Sequence, residues 1–287
     1  TGSRMIKDPM NTVISTSVLH HLIEHHQVMV FDCRFSLADV SAGARLYGES
    51  HIPGAYYADL NQDLSTPHLP GKTGRHPLPN RQQWINQVLQ WGLTPDKQLV
   101  VYDDAGGSIA ARLWWMLQWI GHEKVAVLDG GLDAWTKAGY SLTAEVPPAL
   151  DTSRDLYGNR DPLVTQVTLS AVNPDMQMLL DARDPARYRG EVEPIDPVAG
   201  HIPGAYNSPF SGNLNSDGTF RSKAELARKF EYAGYSFLPV VCYCGSGVTA
   251  CHNILAMKHA GLTVPVLFAG SWSEWVADGK RNVATGS

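Results

Sequence analysis

The chain has 287 residues, 44% hydrophobic and 18% charged, with a formal net charge of -5. That length suits two domains, the composition supports packed cores rather than disorder, and the weak acidity gives no reason to expect nucleic acid or an anionic membrane surface as partner. No apolar run nears the roughly 20 residues of a membrane span, and Thr1 to Met10 lack the basic-then-apolar pattern of an export signal, so a cytoplasmic protein is expected. The four residues ahead of Met5 read as a cloning remnant.

In chain order, short apolar runs bounded by turn residues predict buried strands at Gln27–Cys33, Gln98–Asp103, Lys124–Leu128, Met176–Asp181, Pro239–Tyr243 and Thr263–Phe268. Longer amphipathic runs predict helices over Arg81–Trp91, Ile109–Ile120, Ser222–Ala233 and Val248–Ala260. Alternation of strand and helix points to an α/β fold with a mostly parallel sheet. Ligands of such sheets sit beyond the carboxyl ends of the strands.

The chain also repeats itself. His51-Ile52-Pro53-Gly54-Ala55-Tyr56 recurs as His201-Ile202-Pro203-Gly204-Ala205-Tyr206, and Asp32-Cys33-Arg34 as Asp181-Ala182-Arg183. Val100-Val101-Tyr102-Asp103-Asp104 pairs with Val240-Val241-Cys242-Tyr243-Cys244, and Val127-Leu128-Asp129-Gly130-Gly131 with Val266-Leu267-Phe268-Ala269-Gly270. Four matches in one order identify a duplication. The expected division is a first copy over 5–146, a linker over 147–161 and a second copy over 162–287. The offset between copies shrinks along the chain, which places extra residues of the first copy in Thr66–Asn80, rich in Pro, Gly and His.

Four cysteines, Cys33, Cys242, Cys244 and Cys251, are too few for a disulfide framework in a chain this long. No paired Cys-x-x-Cys elements are present, and adjacent Cys251-His252 is poor spacing for one metal, so no metal or cofactor is expected. Cys242 is expected to be buried and inert, on the opposite side of its strand from Cys244.

Cys244 opens the loop Cys244-Gly245-Ser246-Gly247-Val248-Thr249 between a predicted strand and a predicted helix. Two glycines allow a tight curl whose amides point at the sulfur, and the helix N-terminus adds partial positive charge. Both favour a thiolate, and such cysteines titrate about 1 to 5 units below a free one. Alignment of the copies sets Cys244 against Asp104, Ser246 against Gly106 and Gly247 against Gly107. Cysteine in one copy and aspartate in the other suggest an exposed loop that is catalytic in the second copy alone. A phosphatase would need an arginine closing the loop, where Thr249 and Ala250 stand.

These residues resemble the rhodanese superfamily, and in particular its tandem-domain sulfurtransferases. Both His-Ile-Pro-Gly-Ala segments, both Asp-x-Arg strands, the Cys244 loop and Gly270-Ser271-Trp272-Ser273-Glu274-Trp275 carry the resemblance. It implies two rhodanese-like domains, each a mostly parallel sheet flanked by helices, with the nucleophile in the second and the site at the domain interface. It further implies that Cys244 carries sulfur from a small donor to a thiol acceptor, such as a thioredoxin-like protein or small thiol, or to cyanide. Gly245, Gly247, Val248 and Thr249 would form the cradle. Cys-Gly-Ser-Gly-Val-Thr resembles the 3-mercaptopyruvate type rather than the thiosulfate type. That type implies a relay of Ser246 with a histidine, His76 before His68, and an acid, Asp59 or Asp63; Asn61 stands at the family's acidic position. It also implies a carboxylate clamp of Arg187 with a second arginine near Ile195, for which Arg189 or Arg183 would substitute. His51 and His201 are read as structural. The alternative to an enzyme is a rhodanese-like module that binds without turnover.

Overall fold

The computed structural model describes residues 10–150, 152 and 154–287. The readings of residues 1–9, including a first-domain boundary at Met5, fall outside them. In the first half, β1 (Val13–Ile14), β2 (Met29–Asp32), β3 (Ala55–Tyr57), β4 (Leu99–Tyr102) and β5 (Val125–Leu128) form one sheet in the order β1-β5-β4-β2-β3. Every pair in it is parallel. Helices α1 (Thr16–Glu24), α2 (Ala42–Glu49), α3 (Arg81–Gln90), α4 (Ala110–Trp119) and α5 (Gly131–Lys137) connect or follow these strands. The second half repeats the plan with β6 (Met178–Asp181), β7 (Tyr206–Asn207), β8 (Val240–Tyr243) and β9 (Val266–Leu267), again all parallel, in the order β7-β6-β8-β9. Its helices are α6 (Pro185–Tyr188), α7 (Lys223–Lys229), α8 (Glu231–Gly234), α9 (Ala250–His259) and α10 (Ser271–Trp275).

The strands are short and buried because helices cover both faces of a parallel sheet, which is why β4 and β5 read as unbroken apolar runs. Each predicted strand and helix is present within a few residues, with one exception. The helix expected over Ser222–Ala233 breaks at Phe230 into α7 and α8, and Phe230 turns into the core. Elements too short to show a period, among them β3, β7 and α6, were not anticipated. At α3 the chain starts with a capping box, Asn80 accepting from the Gln83 amide while the Gln83 side chain accepts from the Asn80 amide.

Helices α4 and α9 are buried along nearly their whole length. Each lies on its own sheet with one side and meets the other half with the opposite side, so both are apolar nearly all round. The core cluster containing Trp114, Trp115, Ile254 and Leu255 therefore runs through both halves. Two smaller clusters, around Trp135 and around Trp272, fill the outer faces. The connecting segment is docked too: Arg81 donates to the carbonyls of Tyr157, Gly158 and Arg160, and the buried Tyr157 hydroxyl meets His122 Nδ1 at 2.8 Å.

The repeated motifs are framework. Asp32 binds Arg34 and the Tyr102 hydroxyl in the first half, and Asp181 binds Arg183 in the second, all buried. His51 and His201 stack on Tyr47 and Tyr188 and reach the carbonyls of those same residues at 2.8 and 2.6 Å. Sheet register corrects the alignment of the copies. Asp32 stands opposite Tyr102 and Asp181 opposite Tyr243, so the next residues, Asp103 and Cys244, are the equivalents. Asp104 is not the counterpart of Cys244. Pairing Val100-Val101 with Val240-Val241 sets the strands one residue out of register, since Val240 is the equivalent of Leu99, and the first loop runs one residue longer before α4 than the second does before α9.

Candidate active site

Cys244 follows the last residue of β8, and α9 begins at Ala250. The side chain is not on an exposed loop as expected: Cys244 is 1% exposed, at the floor of a pocket between the halves. The Gly247 amide donates to its sulfur at 3.1 Å. Among the described residues no second amide reaches that atom, so the sulfur fills only part of the curl. Gly247 has φ +83°, and a Cβ there would meet the Ala269 carbonyl oxygen at 2.2 Å, so only glycine fits. Ser246 and Val248 are buried, Thr249 is half-buried, and all three line the pocket.

The first half shows what this curl holds when filled. Asp103 Oδ1 accepts from the amides of Ala105 and Gly107 at 2.8 and 2.9 Å, and Oδ2 from those of Ile109 and Ala110 at 2.9 and 2.8 Å. Four backbone donors converge on one buried carboxyl group of the loop itself.

The first half also supplies a wall of the pocket. The long connection over residues 58–80, whose counterpart is the shorter 208–222, carries Arg75 and His76 to the Cys244 loop. His76 Nδ1 lies 2.7 Å from Ser246 Oγ. Burial, then the charges of Arg112, Arg75 and His68, push His76 down to about 3, so its imidazole is neutral at physiological pH. Neither acid expected behind it hydrogen-bonds the imidazole. Asp59 caps the amides of Asn61 and Gln62, and Asp63 accepts from the Asp59 amide.

Arg187 reaches the pocket, donating to Glu193 at 3.2 and 3.1 Å and to Asp196 at 3.3 Å. The substitutes expected for a second arginine are engaged otherwise: Arg183 is tied to Asp181, and Arg189 pairs with Glu191 at 2.9 Å outside the pocket. The second guanidinium is that of Arg75, from the first half. It pairs with Asp196, and a Cβ on Gly245 would meet Arg75 Nη2 at 2.9 Å and both terminal nitrogens of Arg187 at 3.4 Å. The buried Nε atoms of both arginines have no acceptor among the described residues. A small anion carried next to Cys244 would therefore meet two guanidinium groups, one from each half, each also paired with Glu193 or Asp196. Ile195 lines the same pocket.

Sequence reasoning missed two residues. Arg75 adjoins His76 but belongs to a loop without periodicity. Ser271 holds the left-handed φ of +56°, which is strained for a residue with a Cβ. Its Oγ donates to the Phe268 carbonyl and accepts from the Cys244 amide at 3.1 Å, locking the loop from behind. Cys242 was expected across the strand from Cys244, yet both lie in one core cluster, because residues two apart on a strand share a face. Burial pushes the thiols of Cys33, Cys242 and Cys251 up, which keeps them protonated.

A family model described as rhodanese-like domain matches residues 15–138 and 166–278. A probable 3-mercaptopyruvate sulfurtransferase of Pseudomonas aeruginosa is 50% identical over 268 residues, covering 90% of this chain and 93% of that protein. A putative thiosulfate sulfurtransferase of Mycobacterium tuberculosis is 40% identical over 268 residues, covering 91% and 92%. Among solved structures, the 3-mercaptopyruvate sulfurtransferase from Leishmania major matches with a TM-score of 0.81 at 31% identity, covering 94% of this chain and 75% of that one. A 3-mercaptopyruvate sulfotransferase from Escherichia coli matches with a TM-score of 0.75 at 29% identity, covering 92% and 100%. With both halves matched and Cys244 heading the loop of the second, the chain belongs to the rhodanese family, as a tandem-domain sulfurtransferase.

Proposed function

We propose that Cys244 carries a sulfur atom as a persulfide between a small anionic donor, 3-mercaptopyruvate in the favoured reading, and a thiol acceptor. The observation that carries this is the Asp103 loop. The outer sulfur of a cysteine persulfide is two bonds from Cβ, as are the carboxylate oxygens of an aspartate. In the first half the same curl surrounds atoms at that distance with four amides. In the second half the amide of Gly247 meets the inner sulfur, which leaves the rest of the curl for an outer one.

The cycle is a double displacement. The Cys244 thiolate attacks the donor sulfur, the carbon–sulfur bond of mercaptopyruvate breaks, and its electron pair leaves with the pyruvate enolate, which takes a proton at carbon. Ser246, hydrogen-bonded to the neutral imidazole of His76, would deliver that proton. An acceptor thiolate then takes the outer sulfur as its own persulfide and restores the Cys244 thiolate. Arg75 and Arg187 would hold the donor carboxylate beside Gly245. No metal or cofactor enters this cycle. Exposed Leu37 and Ile195 at the pocket mouth would meet an acceptor such as a thioredoxin-like protein, in keeping with a cytoplasmic setting.

The test is the mass of the intact protein after mercaptopyruvate is added and removed: one extra sulfur on Cys244, absent in Cys244→Ser along with turnover. Undiminished turnover in that variant overturns the mechanism. Thiosulfate is the second reading, favoured by the same arginine pair, which suits a dianion as well as a carboxylate. Its sulfite would leave without proton transfer, so kcat/KM for the two donors separates the readings.

A further inference from the structure

Arg112, on α4 of the first half, is fully buried and faces no carboxylate among the described residues within ion-pairing distance. Its donors all go to neutral groups. Nη1 donates to the Gly247 carbonyl at 3.0 Å, Nη2 to the carbonyls of Leu64 and His76 at 2.9 Å each, and Nε to the sulfur of Met116 at 3.3 Å. An unpaired cation taken out of water costs several kcal/mol even after relaxation. Three carbonyl dipoles offset part of that cost, and an anion nearby would offset more.

The partners of Arg112 are not scattered. Gly247 is the residue whose amide touches the Cys244 sulfur, and His76 is the residue bound to Ser246. One guanidinium thus fixes the backbone of both sides of the site across the junction of the halves. Its fork suits this task, since a planar group with fixed donor directions holds three carbonyls in one arrangement. Burial opposes its charge, and a thiolate at Cys251 or Cys244 would favour it. Cys251 is held protonated by burial, which leaves Cys244.

We propose that Arg112 is a positioning residue of the transfer site, clamping Gly247 and His76 from the first half and supplying the buried positive charge that balances a sulfur anion on Cys244. This rests on the persulfide reading above, and it assigns a reason for the first domain to persist beside the nucleophile: it carries the countercharge. The charged and titratable groups facing Cys244 are Arg112 behind the loop, Arg75 and Arg187 at Gly245 with their carboxylate partners Glu193 and Asp196, His76 through Ser246, and the thiols of Cys242 and Cys251.

The experiment compares full-length Arg112→Lys, Arg112→Gln and the parent for melting temperature, pH profile of iodoacetamide alkylation at Cys244, and kcat against KM. Arg112→Lys keeps the charge and loses the fork. Its alkylation profile should match the parent while kcat falls at least tenfold at unchanged KM. Arg112→Gln should alkylate at least tenfold more slowly at pH 7, with the rates converging at pH 10. A parent-like kcat in Arg112→Lys, or an alkylation profile in that variant displaced as far as in Arg112→Gln, overturns the proposal. So does a parent-like profile in Arg112→Gln. If Arg112→Gln does not fold, Arg112→Lys is read against the parent alone, and a parent-like kcat or an alkylation profile displaced from the parent's overturns the proposal. A parent that takes up no sulfur from any donor would defeat the persulfide reading, whereas the alkylation comparison needs no donor and tests the countercharge by itself.

Discussion

Asp103 and Cys244 occupy equivalent positions at the ends of β4 and β8, and the loop after each curls toward the side chain. One loop is closed on its own carboxylate through four amides, and the other receives its sulfur through one. The same backbone device is thus self-filled in one half and left with room in the other.

Removing the filler should therefore cost stability without touching the chemistry. Asp103→Ala leaves buried amides without an acceptor, and about 3 kcal/mol of stability is expected to be lost. Urea denaturation of the variant checks this. Asp103→Asn, which keeps one carbonyl oxygen, should fall between the two.

Gly247→Ala should abolish turnover. Its Cβ would lie 2.2 Å from the Ala269 carbonyl in a backbone conformation reserved for glycine, so the loop must move away from Cys244. A loss of at least 100-fold in kcat is expected, with a melting temperature several degrees lower. Retained turnover would mean that the amide of Gly247 is dispensable.

Ser246→Ala and His76→Asn should affect the two donors unequally. With mercaptopyruvate, which needs a proton for its enolate, kcat is expected to fall by roughly 100-fold. Sulfite leaves from thiosulfate unprotonated, so that rate should change by a few-fold at most. Because His76 stays neutral down to about 3, no step near pH 6.5 in the rate profile should depend on it.

Arg75→Met should raise KM for mercaptopyruvate about tenfold or more while the Cys244 persulfide, once formed, transfers at the parent rate. The pair Arg75 and Arg187 flanks Gly245 from opposite halves, so each is expected to act on binding rather than on the sulfur step. Steady-state kinetics with donor varied, followed by single-turnover transfer to a thiol, distinguishes these.

Acid should unfold the chain earlier than its carboxylates alone would require. Burial holds His76 down to about 3 and His122 and His252 down to about 4. In the unfolded chain a histidine titrates near 6.5 and binds its proton more readily than in the fold. Stability from these groups is complete above about pH 6.5 and drains as pH falls toward the folded values. At pH 5 the loss reaches roughly 2 kcal/mol for each fully buried histidine. The urea midpoint should fall steadily between pH 7 and pH 5, and a flat midpoint would contradict it.

Much of this was legible from residue order alone. Apolar runs such as Leu99–Tyr102 and the repeat of His51–Tyr56 at His201–Tyr206 mark the strands and the duplication, because a buried parallel strand must be apolar throughout and two copies of one fold keep the same framework contacts. The Cys244-Gly245-Ser246-Gly247 segment likewise announces a tight loop, since its conformation is local. What tertiary structure decided is which distant groups meet there. The pairing of Asp103 with Cys244 comes from sheet register, the buried state of Cys244 from packing of α4 on α9, and the approach of Arg75, His76 and Arg112 from a junction between halves. None of these contacts leaves a local signature, because a side chain's charge and reach say nothing of which loop, some 170 residues away for His76 and Ser246, will be folded against it.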